Sequence, residues 1–133
     1  MATMRASAHR LENFRHDVKV RSHTLTADEP RDHGGADSGP SPQELLAASL
    51  ASCTAITIEM YAKRKGWEVA GLTVDVEYSP AERGIPTHFN LVMKMPAHLS
   101  EEQAERLQTI AAKCPVHRTL EGEVLFDERV ELV

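Results

Sequence analysis

One segment, residues 41–66, constrains the fold more than any other part of the chain. Its start carries three helix signals: Ser41 can act as N-cap, Pro42 suits the first helical position, and Glu44 can close a capping box with Ser41. Gly66 supplies a stop signal at the other end. We therefore predict one long helix between these signals.

The surface of this helix predicts a buried, central position. Apolar and small residues recur at spacings of three and four, which is typical of a face packed against other elements: Leu46, Leu50, Cys53, Thr57 and Met60. Much of the remaining surface is alanine, so a second helix could approach closely. We expect Cys53 to lie on the packed face.

Alternating apolar residues predict strands on both sides of the helix. Before it, the first 26 residues are expected to be extended, with rough alternation in residues 17–26 (DVKVRSHTLT) and a turn in the polar cluster at 12–17 (ENFRHD). The Gly- and Pro-rich residues 28–42 form a long loop. After it, residues 72–78 and 89–95 alternate and predict a hairpin with one apolar face.

The C-terminal part predicts two more helices and a closing strand. Ser100 and Gln103 form the signature of a second capping box, and Pro115 can open a short helix. Residues 123–133 (EVLFDERVELV) alternate again and predict a strand. The order of elements predicts one α+β domain over residues 1–133.

Composition narrows the functional classes. The formal net charge of −5 argues against nucleic-acid binding, which calls for a basic face. No run approaches the roughly 18 apolar residues of a membrane span, and the N-terminus lacks the apolar region of a signal peptide. We therefore expect a cytoplasmic protein without nucleic-acid or membrane partners, in a compartment where lasting structural disulfides are rare.

The two cysteines, Cys53 and Cys114, are the chain's candidates for chemistry. A free cysteine often packs as a small hydrophobe. With an ordinary pKa near about 8.5, only about 3% of a thiol is ionised at neutral pH, so Cys53 would need a cation or donor from elsewhere in the fold. The setting of Cys114 is more suggestive, because Pro115 can open a helix whose first N–H groups face the sulfur, and three basic residues flank it: Lys113, His117 and Arg118.

Three interpretations of the cysteines remain open at this point: inert core thiols, a metal site or a redox pair. The spacing of Cys114 and His117 (C-x-x-H) could ligate zinc together with Cys53. Zinc sites normally draw three or four ligands from recurrent short spacings, and here the other histidines are scattered and no C-x-x-C occurs. Metal binding is therefore the weakest of the three.

Four motifs occur together in the chain: ADEP at 27–30, GGADSGPSP at 34–42, YAKRKGW at 61–67 and KCPVHRTL at 113–120. Together they resemble the OsmC/Ohr family, and more narrowly its OsmC-like branch. The resemblance extends over almost the whole chain, with the intervening strands in the expected order. Several motifs in register are far more specific than any one of them.

The resemblance implies an OsmC-like fold: an intertwined homodimer whose two long central helices are wrapped by antiparallel β-sheets, with two active sites at the subunit interface. The better-studied members are thiol peroxidases for organic hydroperoxides. By this resemblance Cys53 matches the peroxidatic cysteine, which becomes a sulfenic acid, and Cys114 matches the resolving cysteine, which closes a disulfide. The implied partners are an organic hydroperoxide and a dithiol reductant, in some relatives a lipoyl group carried by a protein. No cofactor is expected.

The activating groups match the family less closely. In the characterised peroxidases a Glu ten residues before the reactive cysteine holds an Arg beside the sulfur. Here that position is Gln43, and the carboxylate is Glu44, about 100° further round the helix, where it can instead cap Ser41. The activating Arg would be Arg21 or Arg15.

Three functions therefore compete. A thiol peroxidase would use the candidate catalytic residues Cys53, Cys114, Arg21 and Glu44, with its two sulfurs close together and a cation beside Cys53. A non-catalytic OsmC-like protein would bind an apolar small molecule or fatty chain at the dimer interface, with no Arg near Cys53 and slow thiol reactivity. A purely structural dimer would keep both thiols inert in its core.

Overall fold

The computed structural model describes residues 3–133. Its elements, in chain order, are β1 (Ser7–Glu12), β2 (Arg15–Val20), β3 (His23–Ala27), a 3₁₀ turn (Arg31–His33), α1 (Pro42–Lys65), β4 (Thr73–Ser79), β5 (His88–Lys94), α2 (Glu101–Ala111) and α3 (Pro115–Glu121). The chain divides into two compact units, one up to Ala48 and one from Ser49 onward. Helices and antiparallel sheets together confirm the expected α+β class.

The first unit holds an antiparallel sheet in the order β1-β2-β3. The first 26 residues are largely extended, as expected, but Arg21 and Ser22 form an unpredicted two-residue turn that separates β2 from β3. Arg21 has a φ of +54°, a left-handed conformation that reverses the chain and brings Val20 opposite His23. Alternation alone did not reveal this break.

Asp28 organises the long loop that follows β3. Its side chain is buried and accepts hydrogen bonds from the Glu29 N–H at 2.8 Å, the Ser38 N–H at 3.1 Å and the Ser38 hydroxyl at 2.6 Å. The hydroxyl of Ser38 and these backbone N–H groups lower the pKa of Asp28 from 3.8 to about 2. The ADEP and GGADSGPSP motifs are thus joined by one ionised carboxylate.

Two glycines of this loop allow close backbone approach. A Cβ atom on Gly35 would lie 1.9 Å from the carbonyl oxygen of Glu29, and one on Gly39 would lie 2.5 Å from that of Thr26. Any larger residue at either position would therefore push the loop apart.

Helix α1 begins and ends as the capping signals predict. The Ser41 N–H donates to Oε1 of Glu44 at 2.9 Å and the Glu44 N–H donates to Oγ of Ser41 at 3.1 Å, which confirms the capping box. Gly66 has a φ of +74° and ends the helix, as expected.

The packed face of α1 is shifted from the expected one. The buried positions recur every four residues: Leu50, Thr54, Ile58 and Ala62. Met60 is 64% exposed, and Cys53 and Thr57 are only half-buried, so the prediction that they share the packed face is wrong. Apolar and small residues surround most of this helix, so hydrophobicity did not identify which stripe packs inward. Cys53 lies at the edge of that stripe.

The core of the second unit forms where α1 meets α2. Its buried cluster is Ile58, Ala62, Val69, Leu107 and Ala111, with half-buried side chains of the β4–β5 hairpin packed against it. The hairpin pairs Thr73 with Lys94 and Ser79 with His88, within one residue of the prediction. Helix α2 begins at the predicted capping box of Ser100 and Gln103.

The predicted closing strand is wrong. Residues 123–133 form no strand, and their apolar side chains are exposed, Leu125 by 82% and Phe126 by 80%. A strand exists through hydrogen bonds to a neighbouring strand, and none within residues 3–133 pairs with this segment. Alternation therefore shows that the segment could pair as a strand, but within residues 3–133 it has no neighbouring strand to pair with.

Among residues 3–133, length and composition would allow one helix, α1, to cross a membrane, with a mean hydropathy of 1.4 over its most apolar 18 residues. The expectation that no segment is apolar enough thus does not hold for average hydropathy. Core helices of soluble proteins pass the same test, so the finding is weak evidence for a span.

Candidate functional site

The two cysteines are presented by different elements of the second unit. Cys53 lies in the middle of α1 and is half-buried. Cys114 is fully buried at the junction of α2 and α3, where its backbone (φ −53°, ψ 131°) is the N-cap of α3 and Pro115 occupies the first turn. The rigid φ of proline makes helix formation directly after Cys114 favourable.

The structure brings these two thiols together. The Cys114 thiol, the Val116 N–H and the Thr57 side chain all lie close enough to the sulfur of Cys53 to shift its pKa. The sulfur of Cys114 accepts the His117 N–H at 3.5 Å. The expectation that N–H groups at the start of α3 face a sulfur is confirmed, and they reach both sulfurs.

The surroundings of Cys53 favour its neutral form. Burial raises the pKa of Cys53 above that of a free thiol, and the adjacent Cys114 thiol raises it further. The Val116 N–H and the Thr57 hydroxyl act in the opposite direction but do not outweigh burial. Within the described residues, the groups that shift this pKa do not include a cation.

The two candidate arginines differ in their surroundings in the first unit. Arg21 is exposed in the turn between β2 and β3 and forms no ion pair within residues 3–133. Arg15 is half-buried on β2, where its Nη1 lies 3.6 Å from Oε1 of Glu12. Its Nε is buried without a hydrogen-bond partner among the described residues.

Glu44 is engaged as a capping residue. The Ser41 N–H donates to its carboxylate, and the backbone and side chain of Ser41 lower the pKa of Glu44. Gln43, at the position where the family resemblance calls for a Glu, is exposed and lines a cleft of the first unit with Phe14 and His16.

Two contributors to the site were not assigned a role from the sequence. Thr57 follows Cys53 by four residues, a spacing that places both on one helix face, so its hydroxyl could have been expected beside the sulfur. The Val116 N–H carries no sequence signal beyond its place in the first turn of α3. No group of three or more His, Cys, Asp or Glu side chains within residues 3–133 could hold a metal ion.

The fold is thus α+β, with Cys53 in the middle of a long helix and Cys114 beside it at the start of another. The family model for OsmC-like proteins matches residues 34–129. The chain therefore belongs to the OsmC-like family, which confirms the expectation from its motifs.

Solved structures share the fold. The OsmC-like protein of Mycoplasma pneumoniae superposes with a TM-score of 0.77 at 21% identity, over 91% of this chain and 89% of that one. Organic hydroperoxide resistance proteins superpose from Legionella pneumophila (TM-score 0.67, 23% identity, 92% and 91% coverage) and from Elizabethkingia anophelis (0.68, 20%, 92% and 90%). Identities this low show the fold alone. No curated protein matches the chain.

Proposed function

We propose that this protein is a thiol-dependent peroxidase that reduces organic hydroperoxides with Cys53 and Cys114. The observation that carries the proposal is that these two thiols are neighbours, close enough for Cys114 to shift the pKa of Cys53. A disulfide needs an S–S distance of about 2.05 Å, which only neighbouring cysteine side chains can reach. The organic hydroperoxide resistance proteins that share the fold support the same chemistry.

The reaction balances with one peroxide and one dithiol. The Cys53 thiolate attacks one oxygen of the O–O bond, which breaks to give an alkoxide that takes a proton and leaves as the alcohol, while Cys53 becomes a sulfenic acid. The Cys114 sulfur then displaces the sulfenic hydroxyl, forming the disulfide and water. A dithiol reductant exchanges with this disulfide, becomes oxidised itself and restores both thiols. Glutathione and thioredoxin systems keep thiols reduced in a cytoplasmic setting, which we propose for this protein.

Attack by Cys53 requires its thiolate, and burial opposes that form. We propose that a homodimer completes the site and that an arginine of the β1–β3 sheet supplies the missing cation. Arg15 is the better candidate than Arg21, because its Nε is buried without an acceptor, whereas Arg21 is exposed. A buried unpaired N–H is unfavourable, so an acceptor brought by a second subunit would stabilise it.

The raised pKa of Cys53 also favours a second candidate function. In a non-catalytic protein, the same region would bind an apolar small molecule, and the two thiols would remain neutral. Thiol reactivity then stays slow at neutral pH, with or without Arg15.

The test measures the intact mass of the fully reduced protein before and after addition of a small excess of cumene hydroperoxide. We expect a loss of about two mass units, with Cys53 linked to Cys114 in the digest. Cys53→Ser should abolish peroxide consumption, whereas Cys114→Ser should complete one turnover and leave a sulfenic acid that dimedone traps. Arg15→Gln should slow the first turnover at pH 7, with Arg21→Gln as its matched control.

Two outcomes would overturn the proposal. Full activity of Cys53→Ser would exclude Cys53 as the reacting thiol. An unchanged mass after long exposure would favour the binding function, which native mass spectrometry then tests by detecting a retained apolar ligand.

A further inference from the structure

A cleft of about 670 Å³ lies between α1 and α2 in the second unit. Its volume is in the range typical of small-molecule sites. Apolar and aromatic side chains make up much of its lining: Met60, Tyr61 and Ile110, beside Thr57. The other four lining residues are all cations: Lys63, Arg64, Arg106 and Lys113.

The charge of this cleft contrasts with that of the whole chain. The chain has 20 acidic residues and 15 Lys and Arg, yet no carboxylate is among the residues that line the cleft. Within residues 3–133, none of the four lining cations forms an ion pair. Favourable interaction with a helix C-terminus explains Lys63 and Arg64 in the last turn of α1, but it does not explain Arg106 in the interior of α2.

Tyr61 holds two of the guanidinium groups at the apolar wall. The Nε of Arg106 donates to the Tyr61 hydroxyl at 2.9 Å, and the Arg106 and Arg64 guanidinium carbons lie 5.5 and 5.8 Å from the ring centroid. The hydrogen bond from Arg106 lowers the pKa of Tyr61, as expected in a positive potential. The remaining N–H donors of both arginines are not used in ion pairs.

We propose that this cleft is a binding site for an amphipathic carboxylate, a small molecule with an apolar body and one anionic head. The apolar walls would contact the body, and the planar guanidinium of Arg106 or Arg64 can accept a carboxylate with two parallel hydrogen bonds. An inorganic anion would leave the apolar walls unused, and a neutral apolar molecule would leave the guanidinium and ammonium donors unused. This proposal is argued from the residues that line the cleft, and it does not depend on the peroxidase proposal.

Decanoate, decanol and acetate separate the contributions of head and body. Trp67 lies 5.9 Å from Tyr61, ring centroid to ring centroid, so its fluorescence is a built-in reporter alongside calorimetry. We expect decanoate to bind at least tenfold more tightly than either decanol or acetate, and only decanoate binding to weaken as salt is raised. Arg106→Gln should weaken decanoate about tenfold and leave decanol unchanged. Arg83→Gln, an exposed cation of the β4–β5 turn, is the matched control.

Lys113→Gln provides a second test that leaves the Tyr61 contacts intact, and we expect it to weaken decanoate severalfold. Equal affinity for decanoate and decanol would overturn the proposal, as would decanoate binding that neither Arg106→Gln nor Lys113→Gln reduces. Binding to phosphatidylglycerol vesicles without binding of free decanoate would also overturn it, because the cations would then form a surface for anionic lipid rather than a small-molecule site.

Discussion

The Thr54 hydroxyl offers a direct test of how α1 packs. Thr54 is fully buried on the core face, and its Oγ1 has no hydrogen-bond partner within residues 3–133. A buried hydroxyl without a partner loses about 1–3 kcal/mol of hydration that nothing replaces. Valine has nearly the same shape and a similar helix propensity, so Thr54→Val should remove this penalty without opening a cavity.

We therefore expect Thr54→Val to raise the free energy of unfolding by about 1–3 kcal/mol, or roughly 4 °C in Tm for each kcal/mol in a chain of this size. Urea and thermal unfolding should be compared at one fixed protein concentration, because association would also stabilise the fold. Thr57→Val is the matched control one helical turn away, where the side chain lies close enough to the sulfur of Cys53 to shift its pKa, and no stabilisation is expected. Equal or lower stability of Thr54→Val would refute the reasoning, since the hydroxyl would then have a partner in solution.

Three further outcomes follow from particular contacts. In a Cys114→Ser background, Thr57→Val should raise the pKa of Cys53 in pH-dependent alkylation, because the Thr57 hydroxyl lowers it, while Thr57→Ser should not. The pKa of Asp28 is lowered from 3.8 to about 2, so the stability that its ionised form contributes is fully present above about pH 4 and is lost as pH falls through about 2. Asp28→Asn should therefore flatten the acid-unfolding curve between these pH values. Asp32→Asn, at an exposed carboxylate, is the control. Leu107→Ala, at a fully buried core position, should lower the free energy of unfolding by about 2–5 kcal/mol in urea titrations, whereas the exposed neighbour Gln108→Ala should change it by less than about 0.5.

Helix boundaries were the most predictable feature because their signals are local. The capping boxes of α1 and α2 each lie within four consecutive residues, and both formed as expected. Gly66 and Pro115 likewise act on the chain next to them. The turn at Arg21 was missed because an arginine with positive φ carries no such signal.

The stripe of α1 that packs inward could not be predicted in the same way. The buried stripe contains Thr54 and Ala62, while Ile56 and Met60 are more than half exposed. Hydrophobicity alone would predict burial of Ile56 and Met60 before Thr54 and Ala62, which is the reverse of what the structure shows. Tertiary packing decides the outcome, because α2 and the hairpin contact one side of the helix only.

The pairing of Cys53 with Cys114 was expected only from the family resemblance, since nothing in their spacing brings α1 to the start of α3. The closing strand failed for a related reason. Residues 123–133 have the alternation of a strand, but pairing depends on a neighbour that no local pattern reveals.

The pKa of Cys53 also limits which groups can activate this thiol, because burial raises that pKa. Lowering its pKa from above 9.0 to about 7 requires at least about 2.7 kcal/mol in favour of the thiolate. Backbone N–H and hydroxyl donors are already present and do not overcome burial. One cation at about 4 Å, at an effective dielectric constant near 20, supplies about 4 kcal/mol and exceeds this minimum, whereas at about 8 Å the same charge supplies about half of that and falls short. A cation in direct contact with the sulfur therefore favours the Cys53 thiolate about twice as strongly as one at about 8 Å.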